Sequence, residues 1–211
     1  MIRIFLAAIL TLTFATGRAD DFQLVKTIPL PSGHFTVDMM GQIYWSQEST
    51  LIRYNPVTDE KTEYNNAFLG DIHSWDVSNP LKILVFHKDY NTLVFLNKIL
   101  SQLRSPIRLD DIGINRAGAC CTSREGGFWV INQTTGQLQQ YDASLHLRQE
   151  SPVIPELNTG SDAGKPIIRE QNRRVYGLLP GCCALIFDRF GTLPRRHPLK
   201  NVNNIQILNQ N

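Results

Sequence analysis

Two small groups of residues in this chain have types and spacings that could support chemistry. The first is a repeated pair of neighbouring cysteines, Cys120-Cys121 and Cys182-Cys183, which together are all four cysteines of the 211-residue sequence. Four thiols allow three disulfide pairings, one of which has two strained bonds between sequence neighbours. The same residues can also serve as small apolar side chains of a packed interior. Adjacent residues of a strand point to opposite faces, so one cysteine of each pair would then meet each neighbouring sheet. Redox or cofactor contact is a third reading. Zinc is not indicated, because the sequence between the pairs does not supply ligands at the usual short spacing.

The second group is His34, Asp38, His73, Trp75 and Asp76, which fall at the ends of short apolar segments and could form a small polar ligand site where loop ends meet. The alternative is structural, since His and Asp in turns often hydrogen-bond nearby backbone. Asp110-Asp111 offers two carboxylates, short of the roughly six to eight oxygens that calcium takes. Asn132-Gln133-Thr134 matches a glycosylation sequon. No Ser-His-Asp set, phosphate loop or metal-histidine motif can be placed, so the sequence assigns no catalytic residue, metal or cofactor.

The elements that must position these residues repeat at about 43 residues. Tyr44, Phe86, Trp129 and Tyr176 form one ladder of large anchors, spaced by 42, 43 and 47 residues. Tyr54, Leu96, Tyr141 and Phe187 form a second, spaced by 42, 45 and 46. Between them run short segments with period-2 alternation and turn residues every 8–12 positions or so. Each unit reads as four antiparallel strands. The units begin near Phe35, Ser74, Ala117 and Pro166, and their outer strands lie near Lys61–Tyr64, Ser105–Leu109, His146–Glu150 and Leu193–His197. The expected fold is an all-β propeller of four-stranded antiparallel blades, with four units and an incomplete fifth. A β-sandwich is the competitor, but it predicts no shared period for two ladders. The fifth unit would hold Asn203–Leu208 as its inner strand and Phe22–Leu30 as its outer strand. Its two middle strands are missing, so the ring is expected to be open or truncated, with an edge available for strand addition.

The first residues read differently. Arg3, an apolar run from Ile4 to Phe14, and small residues at Gly17 and Ala19 have the layout of a secretory signal peptide over 1–19. The run is too short for the ~20 residues of a spanning helix, so no stable membrane insertion is expected. Residues 20–211 would then be a propeller domain in the periplasm or outside the cell. The full chain carries a formal charge of +2, and removing residues 1–19 takes away Arg3 and Arg18 and no acid. A balanced chain has no global field to concentrate nucleic acid. Arg173-Arg174 and Arg195-Arg196-His197 are local basic clusters only, suited to an anion or to solvated turns.

Leu51-Ile52-Arg53-Tyr54-Asn55-Pro56 and Thr135-Gly136-Gln137-Leu138-Gln139-Gln140-Tyr141-Asp142 resemble the strand–turn units of exported bacterial propellers of the NHL, YVTN and quinoprotein-like groups. The resemblance covers residues 22–208 and implies fold rather than task, because these groups include enzymes, scaffolds and ligand binders. A vicinal disulfide in an exported propeller is also similar to quinoprotein alcohol dehydrogenases, where such a bond lies against the quinone. This chain is too short for their ring, lacks their repeated tryptophan motif and offers no matching calcium set. The task expected is that of a binding or scaffold protein recognising a partner protein or small ligand on one rim. The alternative is a propeller enzyme, a lyase or hydrolase with polar residues at the channel mouth. Converging titratable groups would mark the enzyme, and an exposed aromatic or apolar patch the binder.

Overall fold

The structure is a computed structural model that describes residues 26–30, 34–158, 164–193, 195–199 and 202. The chain divides into two compact units, Met1–Gly33 and His34–Asn211. In the first, residues 26–30 are described and carry no strand, although the sequence predicts one there; residues 22–25 lie outside the described residues. The expected pairing of that segment with residues 203–208 likewise lies outside them. No helix among the described residues is long and apolar enough to cross a membrane.

In the second unit the described residues form four sheets, each an antiparallel meander of four consecutive strands. The first blade is β1 (Phe35–Val37), β2 (Ile43–Gln47), β3 (Thr50–Tyr54) and β4 (Lys61–Asn65). The second is β5 (Ser74–Asp76), β6 (Ile83–His87), β7 (Thr92–Leu96) and β8 (Ile107–Arg108). The third is β9 (Ala117–Thr122), β10 (Phe128–Asn132), β11 (Gln137–Tyr141) and β12 (Leu147–Glu150). A one-turn helix, α1 (Pro155–Asn158), precedes the fourth blade, made of β13 (Ile167–Gln171), β14 (Arg174–Leu179), β15 (Cys183–Phe187) and β16 (Arg195–Pro198). The outer strand of the second blade is shorter than the sequence predicts. Leu109–Ile112 turns into a 3-10 helix ending at Gly113, whose φ of 81° breaks the extended run.

The two anchor ladders are the two faces of each blade. Tyr44, Phe86 and Trp129 project forward, each into the core shared with the following blade. Leu96, Tyr141 and Phe187 project backward, each into the core shared with the preceding one. One forward and one backward anchor therefore meet in each inter-blade core: Tyr44 with Leu96, Phe86 with Tyr141, and Trp129 with Phe187. A single sheet cannot bury both its faces, and stacking supplies the missing cover. Tyr176, the forward anchor of the fourth blade, is only half-buried.

A third ladder sits one residue beyond the second. Asn55, Asn97, Asp142 and Asp188 each close the third strand of a blade, and each side-chain Oδ1 accepts two backbone N–H bonds from the turn that follows. Short Asx side chains replace backbone partners in tight turns, so this residue type fixes the start of every outer strand. Gly127 is set by space. A Cβ there would lie 1.7 Å from the Tyr141 carbonyl oxygen, so the backbones of β10 and β11 meet as closely as they do only because that atom is absent.

Candidate functional site

The inner strands β1, β5, β9 and β13 end together. The turns that leave them line one cavity of about 620 Å³, to which all four blades contribute. The first blade contributes Asp38 and Met39, the second Ser78 and Asn79, the third Ser123 and Arg124, and the fourth Arg169 and Glu170. A side pocket of about 290 Å³ between the third and fourth blades shares Arg124 and Glu170 and adds Arg173, Arg189, Glu125 and Gln140. Val37 and Met39 add exposed apolar surface to the mouth.

Three carboxylates stand at this mouth, and each is held by hydrogen bonds within the protein. Asp38 accepts from the backbone N–H of Met40 (2.8 Å) and Gln42 (2.9 Å), and from the Tyr44 hydroxyl (3.0 Å). Burial and the neighbouring Asp38 carboxylate push that phenol well above its ordinary value. Asp76, 2% exposed, crosses from the second blade to the third. One oxygen accepts from Thr122 N (2.8 Å), Thr122 Oγ1 (2.7 Å) and Ser78 Oγ (3.0 Å), and the other from Ser78 N (3.0 Å). Glu170 ties the fourth blade to the third, accepting from Trp129 Nε1 (2.8 Å) and Arg124 N (3.2 Å). The guanidinium groups of Arg124, Arg169 and Arg173 make no hydrogen bond or ion pair among the described residues. Arg189 lies with its guanidinium 4.4 Å from the Phe190 ring centre. Arg124 and Arg169 at the mouth, and Arg173 in the side pocket beside the exposed Glu125 carboxylate, are left to meet a ligand.

The residues picked out from the sequence divide along the inner strands. Asp38 and Asp76 stand at the mouth, the first lining the cavity and the second buried beneath its rim. His34 and His73 precede the same strands, about 10–13 Å away at normal strand rise. Trp75 lies between, its Nε1 donating to Thr36 Oγ1 at 2.7 Å and its ring 5.3 Å from that of His34. Lys165 Nζ reaches the His73 carbonyl oxygen at 3.4 Å. Burial, with Lys165 and Lys88 nearby, holds the His73 imidazole at about 4. Burial also lowers His34, helped by Arg169 and Lys165, and lowers His87 against its bond to the Gly70 carbonyl.

These histidines give stability a definite pH dependence. Below about pH 6.5 the unfolded chain takes up protons that the folded chain refuses. Their contribution is therefore complete above about pH 7 and declines as pH falls towards about 4. The urea midpoint should drop over that window, and His73→Gln should flatten the drop. An identical pH profile for wild type and variant would rule out His73 as a source.

The two cysteine pairs differ. Cys120 and Cys121 lie within β9 and face opposite ways, Cys120 into the core shared with the second blade and Cys121 into the core shared with the fourth. Burial raises both thiols well above their ordinary value. Cys182 and Cys183 straddle the entry to β15, with sulfurs 2.8 Å apart. Asp110 accepts from Asn91 Nδ2 at 3.0 Å. No cluster of three or more metal-type side chains occurs among the described residues. The sequon residue Asn132 is 2% exposed, and its side chain caps Thr134 N and donates to Gln139 Oε1. It cannot receive a sugar in the folded chain.

Arg124, Arg169, Glu170 and Arg189 were not singled out from the sequence. Arg169, Glu170 and Arg189 come from β13 and the turn after β15 of the fourth blade and Arg124 from a turn of the third, so the packing of these two blades brings them together. The available signal was positional, because the residues that close each inner strand occupy equivalent places in the repeat.

No protein-family model and no curated protein sequence matches this chain. Among solved structures it is similar to virginiamycin B lyase from Staphylococcus aureus, at 10% identity and a TM-score of 0.55, covering 82% of this chain and 58% of that one. It is also similar to a protein of unknown function from Bacteroides caccae, at 13% identity and a TM-score of 0.55, covering 85% and 64%. The WD40 domain of Neurospora crassa Pan2 matches at 9% identity and a TM-score of 0.53, covering 78% and 48%. The chain thus spans roughly half to two thirds of the length of these structures. At such identities the likeness is one of fold, that of a β-propeller.

Proposed function

We propose that this chain is an exported propeller-type binding protein that takes a small carboxylate- or phosphate-bearing ligand at the mouth formed by its four inner strands. One observation carries the reading. The three carboxylates at the main cavity are bound internally, while the guanidinium groups of Arg124 and Arg169 there, and of Arg173 in the side pocket, are unpaired among the described residues. Arginine presents forked donors that match carboxylate and phosphate oxygens. Carboxylates held this way cap turns and tie blades rather than move protons, which favours recognition over acid–base chemistry. Export follows from the apolar run and small residues ahead of Asp20, and implies a mature amino terminus at that residue.

Titration calorimetry with citrate and with inorganic phosphate tests the reading. One of these anions should bind, more weakly as salt is raised, and Arg124→Gln should weaken it by about tenfold or more, as expected for loss of a charged hydrogen bond of about 1.5–3 kcal/mol. Absence of binding by both anions, or binding indifferent to Arg124→Gln and Arg189→Gln, would overturn it. Conversion of a bound ester or lactone would instead point to the lyase or hydrolase alternative.

A further inference from the structure

Only one of the two cysteine pairs is arranged to react with itself. Cys120 and Cys121 are interior residues of β9, so strand alternation sends their sulfurs into different cores. Cys182 belongs to the turn that enters β15, where Gly181 takes a φ of 74°, and alternation does not yet govern it. Its N–H donates to the Leu179 carbonyl at 3.0 Å and its carbonyl accepts from Leu199 N at 3.1 Å, so the turn is fixed on both sides. The result is a sulfur–sulfur separation of 2.8 Å, within about 1 Å of a disulfide bond length. Cys182 is half-buried and Cys183 fully buried, which gives the two thiols different access. Arg196, which pairs with Glu156 at 2.7 Å, places its positive charge near the Cys183 sulfur.

We propose that Cys182–Cys183 is a reversible oxidation site that closes to a vicinal disulfide by exchange with a small-molecule disulfide. The accessible Cys182 sulfur, as thiolate, attacks the external disulfide; a Cys182–S bond forms and one reagent thiolate leaves, taking a proton. The Cys183 sulfur then gives its proton to solvent and attacks Cys182 Sγ, expelling the second reagent thiol. The protein loses two hydrogens and two electrons, and one reagent disulfide becomes two thiols. Burial and the Cys182 neighbour push the Cys183 thiol up to about 11, which suits it to be the second sulfur to react rather than the first. This inference does not depend on the ligand reading of the mouth, which lies at the other end of the fourth blade's strand connections.

The test uses the full folded chain, reduced, freed of reductant and treated with oxidised glutathione, then trapped with a maleimide under denaturing conditions. The reduced protein should take four maleimides and the oxidised protein two, with a loss of about 2 Da confined to the peptide holding Cys182 and Cys183. Dithiothreitol should reverse it. Cys182→Ser should abolish the change, and Cys120→Ser should leave it intact; the wild-type peptide map decides the matter even if a variant fails to fold. A glutathione adduct that persists on Cys182, a bond that involves Cys120 or Cys121, or four maleimides after oxidation would each overturn the proposal.

Discussion

Replacing Trp129 with alanine is expected to lower the stability of the fold by about 3–5 kcal/mol, the range for removing a fully buried large aromatic. Trp129 is 1% exposed and is the forward anchor of the third blade, packed in the core that holds Phe187 and Leu185. Its Nε1 also donates to Glu170 Oε2 at 2.8 Å, so one side chain supplies both the apolar contact and the polar tie between the third and fourth blades. Trp129→Phe separates the two contributions. It keeps most of the ring and removes the donor to a half-buried carboxylate, at about 1 kcal/mol. Urea denaturation of both variants provides the check. A loss below about 1 kcal/mol for the alanine variant would mean that the ladder does not organise the cores.

Asp76→Ala should be almost as damaging, at about 3 kcal/mol or more. The buried Thr122 N–H and Thr122 hydroxyl both donate to this carboxylate, and the exposed Ser78 N–H does too. Each buried donor left without an acceptor costs about 1–3 kcal/mol. Asp76→Asn keeps the shape and one acceptor oxygen, and should cost distinctly less than the alanine change. The comparison also separates roles, because a ligand-binding Asp76 would lose affinity while the urea midpoint stayed in place. A midpoint unchanged in Asp76→Ala would show that the blade-to-blade tie contributes nothing.

Most of the architecture was legible in the chain, for a reason visible in particular residues. Tyr44, Phe86 and Trp129 are large, apolar and periodic because each must reach across to the next sheet, and that demand recurs once per blade. Strand ends fell within a residue or two of expectation where Asn or Asp closed a strand. They shifted where Leu109–Ile112 coiled into a 3-10 turn instead of extending β8. The Asn55, Asn97, Asp142 and Asp188 ladder was present in the sequence as well, but its meaning lies in backbone donors that no residue name reveals. The site was less legible. Asp38 and Asp76 were recognised as special, yet whether a carboxylate faces a ligand or its own turn is decided by N–H groups two to four residues away and by Thr122 of another blade. Arg124 and Arg169 carry no local signature at all, since their convergence is a property of the stack. Identical Cys-Cys pairs diverged because one lies inside a strand and the other at its threshold.

The pairing of one forward with one backward anchor in each core bears on how the molecule comes apart and comes together. Every hydrophobic core among the described residues joins blades adjacent in sequence, so the apolar contacts within those cores are only about one repeat apart along the chain. Assembly can therefore spread from one blade to the next, each new sheet templated by the last, without first closing a loop across the whole chain. Cooperativity is of nearest-neighbour kind. Among the described residues the second and third blades each contribute to two of these cores, and the first and fourth each to one. The Trp129–Phe187 core therefore sets how readily the fourth blade separates from the third, as the Tyr44–Leu96 core does for the first and second.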